Sequence, residues 1–384
     1  MNFEFATASR IIFGAGTVCQ AGVLAWEVGR IPLIVTGRSA ARAEPVKMAL
    51  REKGLDGPVF LVNGEPTTDT VARAVEAARE SHCDVVIGIG GGSVLDTAKA
   101  AAAMLTNQGD ILDYLEIAGR GRSLAQPALP VIAVPTTAGT GSEVTRNAVL
   151  TSSELRIKVS LRSPYLLPRI ALIDPELMMT MSPEVTATTG LDALSQLIEP
   201  FVSNKANAMA DAFCREGMRR ISRALSRAYT HGDDEEARES MALASLLGGL
   251  ALAAAGLGAV HGFAGPIGGL FPAPHGAVCA RLLPAVMGVN IQALKDRDIG
   301  SGALARYEEA ARILTGEARA TTRDGIEWVE RTVAALGIPP LSKSGLTSSD
   351  FPVIIERAAA ASSMKGNPIQ LSPPEMREIL TRAL

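Results

Sequence analysis

Four residues in the second half of the chain have the types and spacing to hold a metal ion. Asp192 and Gln196 stand four apart in a helical stretch, which puts both on one helix face. His261 follows a long apolar run, and His275 lies within Pro272-Ala273-Pro274-His275-Gly276. The chain has only four histidines, and the other two, His82 and His231, sit among polar residues. A carboxylate combined with imidazoles suits Fe²⁺ or Zn²⁺. Such an ion acts as a Lewis acid on an alcohol oxygen and favours the alkoxide that releases hydride. Spacing alone leaves other roles open. A histidine beside an apolar run also serves as a satisfied core residue, and Asp192 could pair with an arginine.

The first half carries a second kind of site. Gly88-Ile89-Gly90-Gly91-Gly92-Ser93-Val94-Leu95-Asp96-Thr97-Ala98-Lys99 follows an apolar strand and opens a helix. Glycines let a backbone approach an anion closely and adopt positive φ. The helix start adds unpaired N–H groups and the positive end of its dipole. Ser93 and Asp96 have capping-box spacing, which would fix where the helix begins. Strand, triple glycine, cap and helix together read as a pyrophosphate site. Past the next strand, Pro135-Thr136-Thr137-Ala138-Gly139-Thr140-Gly141-Ser142-Glu143 is dense in hydroxyls and glycines. Ligands of open parallel sheets gather at such strand ends, where these hydroxyls would meet a ribose and a nicotinamide. An acidic residue ending an early strand commonly binds the adenosine ribose of NAD. Here the strand Pro32–Thr36 runs into Gly37-Arg38-Ser39, with Arg42 beyond, which leans toward NADP.

These groups need elements to position them. Strands are expected at Pro32–Thr36, Val59–Val62, Asp84–Ile89, Leu129–Val134 and Ile170–Ile173, alternating with helices over Ala41–Lys53, Thr67–Ser81 and Ser93–Leu105. That alternation implies a parallel sheet covered on both faces. Asn147–Thr151 and Arg156–Ser160 could form a hairpin. After Asp174-Pro175 strand runs disappear. Helices are expected over Pro183–Val202, Ala206–Arg227, Asp234–Ala254, Ala303–Thr315, Thr321–Leu336, Asp350–Ala361 and Pro374–Leu384. The expected organisation is a Rossmann-like α/β domain over residues 1–180 and an all-helical domain over 181–384, packed closely with a cleft between.

Composition narrows the function classes. Hydrophobic residues make up 47% and the net charge is -3 without a basic run, so neither nucleic acid nor an anionic membrane has electrostatic support as a partner. Cys19, Cys83, Cys214 and Cys279 form no CxxC and read as buried thiols in a reducing compartment. The amino terminus shows no signal peptide pattern, and a cytoplasmic location is expected. Met241–Val260 is uncharged and long enough to span a bilayer. Its richness in Ala and Gly favours one buried helix instead.

These motifs resemble the iron-containing (group III) alcohol dehydrogenase family, nearly end to end. The resemblance runs from Ile12-Phe13-Gly14-Ala15-Gly16 through GGGSVLDTAK (Gly90–Lys99), PTTAGTGSEVT (Pro135–Thr145), Lys158, DPEL (Asp174–Leu177), GLDALSQLIEP (Gly190–Pro200) and PHG (Pro274–Gly276). Ser363–Pro368 is similar to the family's closing Asn-Pro stretch. The resemblance implies an enzyme transferring hydride between NAD(P) and a small alcohol or aldehyde, and a homodimer or larger assembly. Gly90, Gly91, Gly92 and Ser93 would bind pyrophosphate, with Asp96 and Lys99 supporting the loop. Thr136, Thr137 and Ser142 would lie along the cofactor, Lys158 near the ribose, and Gly37, Arg38 and Ser39 at the adenosine end, where many NAD-using members carry Asp. Asp192, Gln196, His261 and His275 would hold the metal.

Two positions depart from the family pattern. Gln196 replaces a metal-binding His, and Gly265 stands where a further His often lies near the substrate. A carboxamide binds Zn²⁺ or Fe²⁺ less tightly than imidazole. The site therefore holds its ion weakly, holds a harder ion, or works without one, in which case His261 or His275 is the acid–base group. Other readings are a reductase of a carboxylate-bearing carbonyl met by Lys365 or Arg146, a lyase of the dehydroquinate-synthase type, and a silent dinucleotide sensor.

Overall fold

The structure is a computed structural model that describes residues 2–116, 121–152 and 157–384. The chain forms two compact units, Ala6–Thr180 and Met181–Leu384, the latter also holding Met1–Phe5. Phe5 ties that segment down, its ring 5.8 Å from that of Phe213.

The first unit is built on six parallel strands: β1 (Arg10–Phe13), β2 (Pro32–Thr36), β3 (Val59–Leu61), β4 (Val85–Gly90), β5 (Val131–Pro135) and, late in the unit, β8 (Ile170–Ile173). Their order across the sheet is β1-β8-β5-β4-β2-β3. Strands β2, β4, β5 and β8 are buried throughout, so they read as continuous aliphatic runs. On one face Ile34, Ile87, Ile132 and Leu172 pack on Leu24 of α1 (Ala21–Val28) and Leu50 of α2 (Glu44–Arg51). On the other, Leu33, Val35 and Val86 meet Ala78 of α3 (Thr68–Glu80) and Ala98 and Ala102 of α4 (Gly92–Thr106). The hairpin strands are β6 (Asn147–Ser152) and β7 (Ile157–Arg162); residues 153–156, where the second strand was expected to begin at Arg156, lie outside the described residues. Strand β1 and helix α1 carry no strong periodic signal and were not among the expected elements. The expected helix Ala41–Lys53 begins as a 3-10 turn, Ala40–Ala43, and α2 proper starts at Glu44 with Pro45 in its first turn.

The order of the strands creates a switch point. The chain leaves β2 outward to β3, then returns so that β4 lies on the other side of β2, and β5 continues away. In open parallel sheets such a point is where a ligand crevice forms, here outside the carboxyl ends of β2 and β4. The register sets Thr36 beside Ile89 and Gly90 beside Pro135, so three loops start from adjacent strand ends.

The second unit holds α5 (Pro183–Val202), α6 (Ala208–Thr230), α7 (Glu235–Ala255), α8 (Ala259–Leu270), α9 (His275–Arg297), α10 (Gly302–Thr315), α11 (Thr322–Ala335), α12 (Phe351–Ala360) and α13 (Pro373–Ala383). Helix α5 starts at a Ser182 cap with Pro183 in its first turn and is buried from Gly190 to Val202. Helices α6, α7 and α9 pack around it. Gly276 lets α9 come close, since a Cβ there would lie 2.5 Å from Thr188 O on α5.

The apolar run Met241–Val260 is not one helix. Helix α7 stops at Ala255, and α8 leaves at 102° to it. Gly256 takes φ 71 and ψ -171, a region open essentially to glycine. The freed carbonyls of Ala254 and Ala255 accept hydrogen bonds from Asn207 Nδ2 (3.0 Å) and Ser203 Oγ (2.9 Å). Composition cannot show this break, because both halves are equally apolar. Helix α9 is also long and apolar enough for a span, yet 72% of its apolar window is buried in protein.

Gly256→Ala is expected to lower unfolding stability by about 1–3 kcal/mol, read by urea denaturation. Gly300→Ala, where a Cβ would meet nothing, serves as the control and is expected to stay within about 0.5 kcal/mol of wild type.

Candidate active site

The three loops singled out in the first half meet at the switch point. Gly37 follows the end of β2, Gly91 the end of β4, and Thr136 the end of β5, whose amide donates to Gly90 O at 2.9 Å. The glycines serve close approach rather than positive φ, which none from Gly88 to Gly92 adopts. A Cβ on Gly90 would lie 2.5 Å from Val94 Cγ2, and one on Gly92 2.7 Å from Thr140 Cγ2. Gly91 caps α4 without a side chain, its carbonyl taking the amides of Val94 and Leu95. The amides of Gly92 and Ser93 therefore have no intrahelical acceptor and are available to an anion. Among the described residues, the hydroxyls of Thr36 and Thr136 are buried without a partner, so both strand ends keep polar capacity in reserve.

The expected Ser93–Asp96 capping box does not form, because the helix starts one residue before Ser93. Asp96 turns inward instead. It accepts from Ser142 Oγ (2.5 Å) and from the Val149 amide (2.9 Å). Ser142 is thereby occupied inside the fold. Lys99 is fully buried below it, donating to Ser142 O at 2.9 Å and standing 3.4 Å from Asp96 Oδ1. Lys158 pairs with Glu65 at 2.8 Å. Arg38 and Ser39 are exposed, as are Arg146 and Lys365. Gly37 has open space where a side chain would project.

In the helical unit Asp192, His261 and His275 come together, and Cys279 joins them. Their donor atoms all lie within 4.8 Å of one another. His261 Nε2 is 3.3 Å from Asp192 Oδ1, and His275 Nε2 is 3.9 Å from it. Cys279 Sγ is 3.8 Å from His261 Nε2 and 3.6 Å from His275 Nε2. His82 and His231 are not in this group. Cys279 was expected to be an ordinary buried thiol. The signal that could have found it is its position four after His275, one turn along α9.

A second residue was also missed. Glu199 lies seven residues after Asp192, so Asp192, Gln196 and Glu199 form one stripe on α5. Its Oε2 lies 2.6 Å from His261 Nδ1, and its Oε1 accepts from the Val260 amide at 2.6 Å. A carboxylate on Nδ1 fixes the tautomer and leaves Nε2 to face Asp192, the arrangement that metal-binding histidines use. Burial works against a charge on Asp192, but the attraction of His261 and His275 and a hydrogen bond with Gln196 outweigh it and hold the carboxyl below its usual range. The group thus offers an ionised oxygen and two oriented imidazoles, a donor set that fits a divalent transition metal. His275 keeps 31% side-chain exposure, so the cluster is open to small molecules on that flank.

Residues 8–175 match the family model for iron-containing alcohol dehydrogenase, and residues 186–384 match that family's C-terminal model. The chain belongs to the iron-containing alcohol dehydrogenase family. It is an oxidoreductase of CH–OH groups, an alcohol dehydrogenase that uses a nicotinamide dinucleotide. It is 33% identical to the NAD-dependent methanol dehydrogenase of Bacillus methanolicus, over the whole of both chains. It is 37% identical to the 1,3-propanediol dehydrogenase of Citrobacter freundii, over 87% of this chain and 85% of that one. The crystal structure of a 1,3-propanediol oxidoreductase superposes with a TM-score of 0.92 at 32% identity, covering both chains completely.

The α/β unit of this alcohol dehydrogenase also buries Glu143, whose carboxyl is pushed by burial up to about 7. Folding then takes up a proton between the ordinary value of 4.5 and about 7. The stabilisation is complete below that window and is lost as pH rises through it. The stability of wild type relative to Glu143→Gln is expected to fall by about 3 kcal/mol from pH 4.5 to 7, measured by urea denaturation across that range. A pH-independent difference would show that Glu143 folds already charged.

Proposed function

We propose that the enzyme interconverts a small alcohol and its aldehyde, with NADP(H) favoured over NAD(H) and a divalent ion at Asp192, His261 and His275. The observation that carries this reading is the meeting of Gly37, Gly90–Gly92 and Thr136–Thr137 at the carboxyl ends of three adjacent parallel strands. Few other ligands call for a glycine-lined helix start at a sheet's switch point.

The chain's own residues would divide the work as follows. Backbone amides of Gly92 and Ser93 bind the diphosphate. Thr136 and Thr137 line the cofactor beyond it. Asp96, Lys99 and Ser142 hold these loops in place from within. Arg38 lies free to meet a 2′-phosphate, with no carboxylate at Gly37 to repel it. Asp192, His261 and His275 hold the ion, and Glu199 keeps His261 in the tautomer that can bind it. When bound, a divalent ion supplies Lewis acidity to the substrate oxygen.

Titration of the purified protein, followed by nucleotide fluorescence, is expected to give tighter binding of NADPH than of NADH. Gly37→Asp should fold normally, given the open space at that position, and should weaken NADPH binding at least ~10-fold while changing NADH less, since it brings a carboxylate to a phosphate. Binding of neither nucleotide would end the proposal. For the metal, protein purified without chelator is expected to contain close to one equivalent of a divalent ion by elemental analysis. Chelation should abolish aldehyde reduction, and adding back Fe²⁺ or Zn²⁺ should restore it; undiminished turnover without metal would remove the Lewis-acid role.

A further inference from the structure

Asp192, His261 and His275 supply three protein donors, and the cluster they form holds a fourth atom able to bind an ion. That atom is the sulfur of Cys279. This residue is fully buried on α9, one turn past His275, and its sulfur faces both imidazole nitrogens. The carboxamide of Gln196 is engaged differently, in a hydrogen bond with Asp192. We propose that the Cys279 thiolate is a protein ligand of the divalent ion, and that Gln196 is a positioning residue that orients Asp192. This rests on the reading that Asp192, His261 and His275 bind such an ion.

The distances support it. Metal–sulfur bonds of about 2.3 Å and metal–nitrogen bonds of about 2.0–2.1 Å give tetrahedral edges of roughly 3.3–3.6 Å. The measured separations along four edges of the cluster are 3.3, 3.6, 3.8 and 3.9 Å. The other two edges lie within 4.8 Å, so modest closure would bring the four donors onto one ion, whose shell can expand to take the substrate oxygen. Charge argues the same way. A buried dication is costly unless anions offset it, and a thiolate offsets a full charge where an amide offsets none. Binding breaks the S–H bond, the proton leaves to solvent, and a sulfur–metal bond forms with no change in oxidation state. The predicted consequence is selectivity. A soft donor shifts preference from Fe²⁺ toward Zn²⁺ and Co²⁺.

The test uses the full-length protein stripped of metal and reloaded with Co²⁺, followed by absorption spectroscopy. Wild type is expected to show visible d–d bands and a near-ultraviolet sulfur-to-cobalt charge-transfer band. Cys279→Ser should lose the charge-transfer band and bind Zn²⁺ more weakly by more than the roughly 10–100-fold typical of losing an outer-shell partner. Gln196→Ala should keep the band and lose about 10–100-fold in Zn²⁺ affinity. X-ray absorption of the Zn²⁺-loaded wild type, which needs no variant to fold, should find one sulfur at about 2.3 Å. Bound Co²⁺ or Zn²⁺ without a sulfur neighbour would overturn the assignment of Cys279 and leave the metal reading intact. Failure of the wild type to retain either ion on dialysis would remove the metal reading, and this assignment with it.

Discussion

The Glu199 carboxylate is the contact on which the helical unit turns. It is buried, and each of its oxygens takes one hydrogen bond at 2.6 Å, from the Val260 amide and the His261 ring. The first bond satisfies a donor exposed where α8 begins after the sharp turn at Gly256. The second decides which nitrogen of His261 faces Asp192. One side chain therefore fixes both the start of a helix and the chemistry of its third residue. The site needs tight packing around it. A Cβ on Gly258 would lie 2.9 Å from Glu199 Oε1 and 3.1 Å from Asn367 Oδ1. Asn367 in turn donates to Asn290 and to Ile369 O and accepts from the Ala259 amide, so the closing stretch of the chain braces the same turn.

In the α/β unit the governing constraint is backbone proximity. Helix α4 must begin close against Thr137 and Thr140, and only residues without a Cβ allow it. The cost is a helix with no side-chain cap. Unpaired amides at that end would be a defect in an ordinary helix. At a switch point such amides suit an anion.

Several polar residues near that end serve the fold rather than the crevice. Asp96, Ser142 and Lys99 tie α4 to the Pro135–Thr145 loop and to β6: Ser142 and the Val149 amide donate to Asp96, and Lys99 donates to the carbonyls of Ser142 and Asn147. Their burial explains how motifs so rich in glycine and hydroxyls hold a fixed shape. A buried polar network is stable only when its members are satisfied, and this one spans three segments of the chain.

Much of this was legible from the residues alone. Strands β2, β4, β5 and β8 are uninterrupted aliphatic runs because both faces of the sheet are covered, and helix α5 was bounded by Ser182-Pro183 and by its apolar periodicity. The glycine loop, the hydroxyl-rich loop and the trio Asp192, His261 and His275 could be singled out from residue type, and the fold brings the loops to adjacent strand ends and the trio into one cluster. What remained hidden depends on distance across the fold. The break at Gly256 hides in an evenly apolar run, and the inward turn of Asp96 depends on a partner 46 residues away in sequence. Glu199 and Cys279 look like an ordinary helix acid and an ordinary core thiol. Sequence fixes which donors exist and how they repeat along one helix. Only the packing of α5, α8 and α9 decides which donors share a point in space, because that depends on close approaches such as Gly276 against Thr188 that no local pattern records.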